Sequence, residues 1–228
     1  MIRQRRYVDE KHKFGLSPTA SARPLYADCL ASPPPPRPVL SKTRVWRLAG
    51  GRFLSTRKFG ANVMTFEIRL ETAADAPALS KLSAQAFGPG RFARTAYRVR
   101  EGVPPVPGLS LTGWLDSALV GGVRFTAIKI GGQEGGALLG PLVVDPSVKG
   151  KGYGKALVGE GLTRARAEGF GLVLLVGDMP YYGRFGFAPV APGTISLPGP
   201  VDPGRLLAVA LEAGALEGRT GEVAAHPR

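Results

Sequence analysis

Apolar and polar positions fall into a regular order from Phe66 onward. Phe66, Ile68 and Leu70 alternate with Glu67, Arg69 and Glu71, the period of a strand with one buried face. Thr72-Ala73-Ala74-Asp75 opens a helix that runs to about Phe87, with Ala78, Leu79 and Leu82 as its buried stripe and Gly88-Pro89-Gly90 as its stop. Residues 91–100 make a second, short helix. Residues 109–115 and 118–130 are two strands joined as a hairpin at Asp116-Ser117. Residues 137–144 form a further strand, and residues 152–168 a helix that turns Val158, Leu162 and Ala165 inward and ends at Gly169. The apolar run 172–176 is short enough for a buried strand. Residues 181–184 are one helical turn, Phe187 begins another strand, and residues 206–211 supply a last strand after the Pro/Gly-rich link 198–204. Two strands that flank a glycine loop and a helix make a βαβ unit, here inside an otherwise antiparallel sheet. The expected fold class is mixed α/β, in one domain.

The first 63 residues break this order. Pro33-Pro34-Pro35-Pro36-Arg37-Pro38 forces an extended, solvated backbone, and no periodic apolar stretch of useful length flanks it. Residues 1–63 hold 13 Lys or Arg against 3 Asp or Glu, whereas the remainder holds 17 against 14. The net charge of +13 therefore belongs mostly to this segment. The expected organisation is a basic extension over 1–63 and one folded domain over 64–228. The extension is a disordered basic tail, a targeting segment, or sequence upstream of a true start at Met64, which opens Met64-Thr65-Phe66-Glu67-Ile68-Arg69. It lacks interleaved aromatics and a recognition motif, so no specific nucleic-acid partner is expected. Cys29 is the only cysteine, and His12 and His226 lie at opposite ends, so neither a disulfide within the chain nor a metal site is expected. No apolar run approaches the ~18 residues of a membrane helix, and residues 1–15 lack the apolar core of a signal peptide. These features lead to a cytoplasmic protein with no membrane partner; a homodimer is compatible with them.

The chemistry concentrates in Val143-Val144-Asp145-Pro146-Ser147-Val148-Lys149-Gly150-Lys151-Gly152-Tyr153-Gly154-Lys155. Glycines at 150, 152 and 154 let consecutive backbone N–H groups converge at the start of a helix, which already carries partial positive charge. Lys149, Lys151 and Lys155 add full charges, and a phosphate or pyrophosphate is the natural occupant. Two familiar phosphate loops are excluded by spacing. The P-loop needs a Ser or Thr where Ala156 stands and a glycine where Lys149 stands. The dinucleotide fingerprint fails because its third glycine would fall on Lys155 or Leu157.

Lys149-Gly150-Lys151-Gly152-Tyr153-Gly154 resembles the acyl-CoA loop of the GNAT acetyltransferases, Gln/Arg-x-x-Gly-x-Gly/Ala, with Lys in the leading place. Further on, Gly177-Asp178-Met179-Pro180-Tyr181-Tyr182-Gly183-Arg184-Phe185-Gly186-Phe187 resembles the late signature of that superfamily and of a bacterial branch of predicted acetyltransferases within it. The resemblance spans roughly Met64 to His226.

It implies a GNAT acyl-CoA N-acyltransferase fold, acetyl-CoA as co-substrate without a metal, and a small-molecule or peptide amine as acceptor. It also implies that the strands before and after the loop splay apart to admit the acyl-CoA. Leu142, Val143 and Val144 would pair with the pantetheine, Lys149, Gly150, Lys151, Gly152, Tyr153, Gly154 and Lys155 would hold the pyrophosphate, and Tyr182 would protonate the leaving thiolate. The bulge such splaying needs falls near Gly140-Pro141, since proline cannot donate in a ladder. Phe185 and Phe187 pack the core. Glu134, Asp116, Asp178 and Glu101 are candidate bases; Asp178 is equally placed to cap the next helical turn, and water can relay the proton. Residues 87–109 would form a wall of the acceptor cleft, where Arg91, Arg94, Arg98 and Arg100 suit an anionic acceptor or form a solvated face. A non-catalytic acyl-CoA-binding regulatory module of the same fold is the alternative.

Overall fold

The computed structural model describes residues 46–49, 52–59, 62–90 and 94–226. Arg91, Cys29, His12 and the proline run lie outside them. Strands β1 (Trp46–Ala49), β2 (Arg52–Phe59) and β3 (Asn62–Leu70) are followed by helices α1 (Ala76–Phe87) and α2 (Thr95–Arg100). Then come β4 (Leu111–Leu115), β5 (Ala118–Ile130), β6 (Gln133–Val144), α3 (Tyr153–Ala167), β7 (Leu172–Val176) and α4 (Met179–Tyr182). Short strands β8 (Ala188–Pro189) and β9 (Ile195–Ser196), then β10 (Leu206–Ala210) and β11 (Gly221–Ala225), complete the chain.

The main sheet runs β1-β2-β3-β4-β5-β6-β7-β10-β8. Along that path only β6 and β7 pair in parallel, with Gly136 opposite Leu172 and Leu138 opposite Leu174. Helix α3 is the crossover between them, as the βαβ pattern requires. Both faces of the sheet are covered. Leu157, Val158 and Ala165 of α3 pack with Val123, Phe125, Ala137, Leu139, Val173 and Leu175. On the other face Val99 of α2 packs with Ile128, Ile130, Leu138, Leu172 and Leu174, while Leu79 and Leu82 of α1 close over Val143. Strand β7 thus sends alternate side chains into two cores, so its five residues form an unbroken apolar run. Helix α3 comes close to β5 because Gly161 has no side chain: a Cβ there would lie 2.6 Å from the Phe125 ring.

Several elements differ from the sequence expectation. Strand β3 starts at Asn62, so position 63/64 falls within it, and β1 and β2 lie in the stretch assigned to the extension, with β2 paired to β3 from Phe53–Ile68 to Phe59–Asn62. Ala78 is exposed, and the buried stripe of α1 is Leu79 and Leu82 alone, because a three-turn helix rests on a sheet along a narrow line. Strand β11 was not expected. It pairs with β5 through Val223 and Ile130, and Val223 is its one buried residue, too little for a visible alternation.

Candidate active site

The site begins where the sheet comes apart. Leu139 of β6 faces Phe125 of β5 and Leu142 faces Val123, so Gly140 and Pro141 together oppose Arg124 alone. This is a bulge at the expected place, with a cis Gly140–Pro141 bond. Beyond it β6 continues along β5, Val143 opposite Gly122 and Val144 opposite Gly121, but pairs with β7 no further than Leu138 and Leu174. One backbone edge of Leu142, Val143 and Val144 is therefore left without a strand partner. Val143 is held from behind by Leu79 and Leu82.

The chain then turns sharply. Asp145 accepts from the Ser147 amide at 2.8 Å and from Ser147 Oγ at 2.6 Å, and buried Val148 pins the following turn. These two bonds hold the Asp145 carboxyl below the usual carboxylate range. Gly150 and Gly152 take φ of +81° and +88°, the left-handed region that favours glycine. Gly152 caps α3 without a side chain. No acceptor among the described residues bonds the amides of Gly150, Gly152, Tyr153, Gly154 or Lys155. A Cβ on Gly150 would meet nothing within 4 Å. Unpaired donors, open space and a helix N-terminus are what a pyrophosphate requires. Lys149 and Lys155 are exposed and Lys151 half-buried, on the loop and the first turn. The Tyr153 ring stacks on Phe66, with centroids 4.3 Å apart, so this side chain belongs to the core and only its amide is free for a ligand.

Helix α4 closes the other side. The amides of Tyr181 and Tyr182 both donate to the Asp178 carbonyl, at 2.9 and 3.1 Å. The Tyr182 ring lies against the Gly177 backbone, where a Cβ would be 2.3 Å from Tyr182 Cε2, and it meets Tyr181 and Phe187 edge-on at 4.8 and 5.8 Å. Burial, then the neighbouring Tyr181 and Asp178, push the Tyr182 hydroxyl well above the usual phenol range. Burial also raises Tyr181, opposed by Arg184. A Cβ on Gly154 would lie 2.8 Å from the Tyr181 hydroxyl, 3.3 Å from Val144 and 3.9 Å from Leu142. The unpaired edge of β6, the first turn of α3 and Tyr181 of α4 thus meet at one point, with Tyr182 edge-on behind Tyr181. Tyr181 and Gly177 were both in the motif, but their roles depend on contacts between elements far apart in sequence.

The candidate bases are scattered. Asp116 accepts from the Thr65 amide at 2.9 Å in the β4–β5 turn, Glu134 pairs with Lys129 and His226 at 3.0 and 3.3 Å, and Glu101 is exposed after α2. Asp178 stands at the N-cap position of α4, but its side chain makes no capping bond; it pairs with Arg205 at 3.2 Å. Phe187 is buried in the core and half-buried Phe185 packs against the same core, as expected. No helix among the described residues is long and apolar enough to cross a membrane.

Comparison with known proteins decides the family. The Acetyltransferase (GNAT) family model matches residues 78–187. The N-acetyltransferase YhbS of Escherichia coli, itself uncharacterised, is 30% identical over 160 residues, which cover 70% of this chain and 95% of that protein. The chain belongs to the GNAT family of acetyltransferases. Among solved structures it is similar to YhbS in complex with CoA, with a TM-score of 0.64 and 27% identity over 74% of this chain and 94% of the other. A GNAT acetyltransferase from Brucella melitensis in complex with acetyl-CoA is similar with a TM-score of 0.55 and 28% identity, over 71% and 96%. The mixed sheet with its parallel β6–β7 junction is thus a GNAT fold, and the chain is an enzyme of that family.

Proposed function

We propose that this chain transfers an acetyl group from acetyl-CoA to a primary amine by direct attack, with Tyr182 as general acid. The observation that carries the reading is the convergence at Gly154 of an unpaired strand edge, a helix N-terminus without a side-chain cap and the hydroxyl of Tyr181, whose half-buried neighbour is Tyr182. The free edge of Leu142–Val144 suits the amides of a pantetheine arm, which would add to β6 as a strand. The unbonded amides of Gly150, Gly152, Tyr153, Gly154 and Lys155 suit the pyrophosphate, with Lys149, Lys151 and Lys155 supplying charge.

The chemistry then needs little from side chains. The amine nitrogen bonds to the thioester carbon as the carbon–sulfur bond breaks, so most of the rate comes from positioning. The sulfur leaves as a thiolate and takes the Tyr182 proton. A phenol raised by burial keeps that proton at neutral pH. Desolvation in the same place raises the thiol as well, which makes the thiolate a better acceptor for that proton. The amine proton leaves through water, since Asp116, Glu134 and Asp178 are already engaged. The test is a thiol-release screen with acetyl-CoA against amino acids, polyamines, aminoglycosides and peptide N-termini. Amine-dependent release that falls sharply in Tyr182→Phe supports the reading. Tight acetyl-CoA binding without release over the whole panel refutes it and describes an acyl-CoA sensor instead.

A further inference from the structure

A largely buried cation with no counter-ion among the described residues lies under the bulge. The Arg100 guanidinium approaches Gly140 so closely that a Cβ there would be 3.2 Å from Nη1. Its Nε donates to the Ala96 carbonyl at 2.8 Å, while Nη1 is buried with no partner. The Tyr97 ring lies 5.3 Å from the guanidinium in a cation–π contact. Burial, opposed by Tyr97 and reinforced by the charge of Arg124, pulls Arg100 down to about 10, so it stays charged at neutral pH. Arg124, facing the bulge from β5, is already neutralised: its Nε donates to Glu71 Oε2 at 2.8 Å and its Nη2 bonds Glu71 Oε1. Two guanidiniums therefore meet one carboxylate at this place. Burying an unpaired charge is costly, and a protein tolerates it where a ligand supplies the partner. The bulge is also where β6 and β7 part, so the orphan charge stands at the closed end of the gap that opens toward the phosphate loop.

We propose that Arg100 binds a carboxylate of the acceptor, making the substrates amines that carry a carboxylate near the reacting nitrogen. This rests on the acetyl-transfer reading above and specifies its acceptor. A guanidinium presents a flat fork that matches a carboxylate. One carboxylate balances the single excess charge, whereas a phosphate brings about −1.5 to −2 and would leave a buried excess of the opposite sign. Arg100 keeps partial exposure, so a small anion can reach it, while Arg94 and Arg98 are exposed to water and need no partner.

The experiment compares matched pairs, free amino acids and short peptides against their C-terminal amides, in wild type, Arg100→Lys and Arg100→Met. Wild type is expected to prefer each acid, by roughly 10- to 100-fold in kcat/KM. Arg100→Met should erase that preference, mainly through the KM of the acid, with acetyl-CoA affinity by calorimetry unchanged; Arg100→Lys should restore part of it. A second arm measures the thermal shift of the CoA-bound protein with N-acetyl amino acids and with their amides. Wild type should be stabilised by the acids only, and Arg100→Met by neither. Equal response to acids and amides in wild type overturns the proposal in either arm. Absence of turnover with every amine refutes the transfer reading alone, and the thermal arm then decides whether Arg100 holds a carboxylate. A preference for acids that survives Arg100→Met places the carboxylate elsewhere and also overturns it.

Discussion

Gly177→Ala should disable the enzyme without touching a ligand. The added Cβ would sit 2.3 Å from Cε2 and 2.7 Å from Cδ2 of Tyr182, and 2.9 Å from Leu175 Cδ1. Carbon atoms pack at ~3.5–4.0 Å, so the ring must move by more than about 1 Å. It cannot pivot freely, because Tyr181 and Phe187 hold its edges at 4.8 and 5.8 Å. A misplacement of ~1 Å in a positioned group costs on the order of 10²-fold in rate, and the overpacking itself destabilises by about 1–3 kcal/mol. The expected result is a kcat lowered roughly 100-fold, with acetyl-CoA affinity by calorimetry within a factor of a few, since the loop and β6 are not displaced. The double variant Gly177→Ala/Tyr182→Phe separates the causes. If the alanine acts through the tyrosine, the double variant is no slower than Tyr182→Phe alone. A folded Gly177→Ala enzyme with wild-type kcat, or effects that multiply in the double variant, would refute the reasoning.

Other outcomes follow from the same geometry. Tyr182→Phe should lower kcat by about 10²–10⁴ with little change in acetyl-CoA binding. Because burial raises the Tyr182 pKa, the phenol stays neutral as pH rises, so the wild-type rate profile should show no alkaline fall from this group between pH 6 and 9; a Tyr182-dependent fall in that range would contradict the assigned environment. Gly152→Val places a β-branched residue at φ +88°, which costs at least about 1–2 kcal/mol and turns the first α3 amides away from their common point; calorimetry should show acetyl-CoA affinity reduced at least ~10-fold, with the circular-dichroism spectrum retained. Truncation to residues 64–228 removes β1, β2 and the first two residues of β3 but leaves β3 paired to β4 from Phe66–Leu115 to Leu70–Leu111. The truncated protein should bind acetyl-CoA within about threefold of the full chain, show weaker salt-sensitive binding to DNA, and self-associate more readily through the new sheet edge; loss of acetyl-CoA affinity would show that β1 and β2 support the site.

What could be read along the chain was local. The bulge was legible because proline removes a donor at a defined place, and the turn with unbonded amides because glycines 150, 152 and 154 mark the start of a helix. Ala137–Val144 and Leu172–Val176 were legible as strands because both faces of each are buried. What could not be read depended on partners distant in sequence. Tyr153 has the same neighbours in the loop whether its ring meets a ligand or Phe66, and only the position of β3 beside α3 settles it. Asp178 has the right spacing to cap α4, yet Arg205, just before β10, takes its carboxylate instead. Arg100 looked like its neighbours on a basic helix; only the fold distinguishes it, by bringing it under Gly140.

The open gap between β6 and β7 also explains why the residues along it are so plain. A backbone edge without a strand partner must find other acceptors and donors, and water satisfies them only while the gap stays wet. Under the proposed function, a ligand with its own amides laid along Leu142–Val144 would complete the ladder and be recognised by main chain rather than side chain. Leucine and valines suffice there, because their task is to hold β6 in place: Val143 against Leu79 and Leu82, Leu142 and Val144 against the core containing Leu157. Specific side chains are needed only at the two ends of the gap. At one end the glycines leave amides with no acceptor among the described residues, as the proposed pyrophosphate site needs. At the other, Gly140 and Pro141 end the ladder, and Gly140 lets Arg100 come close. Substitutions along the middle of the gap that keep β-branched or leucine side chains should therefore be tolerated far better than a single Cβ at either end.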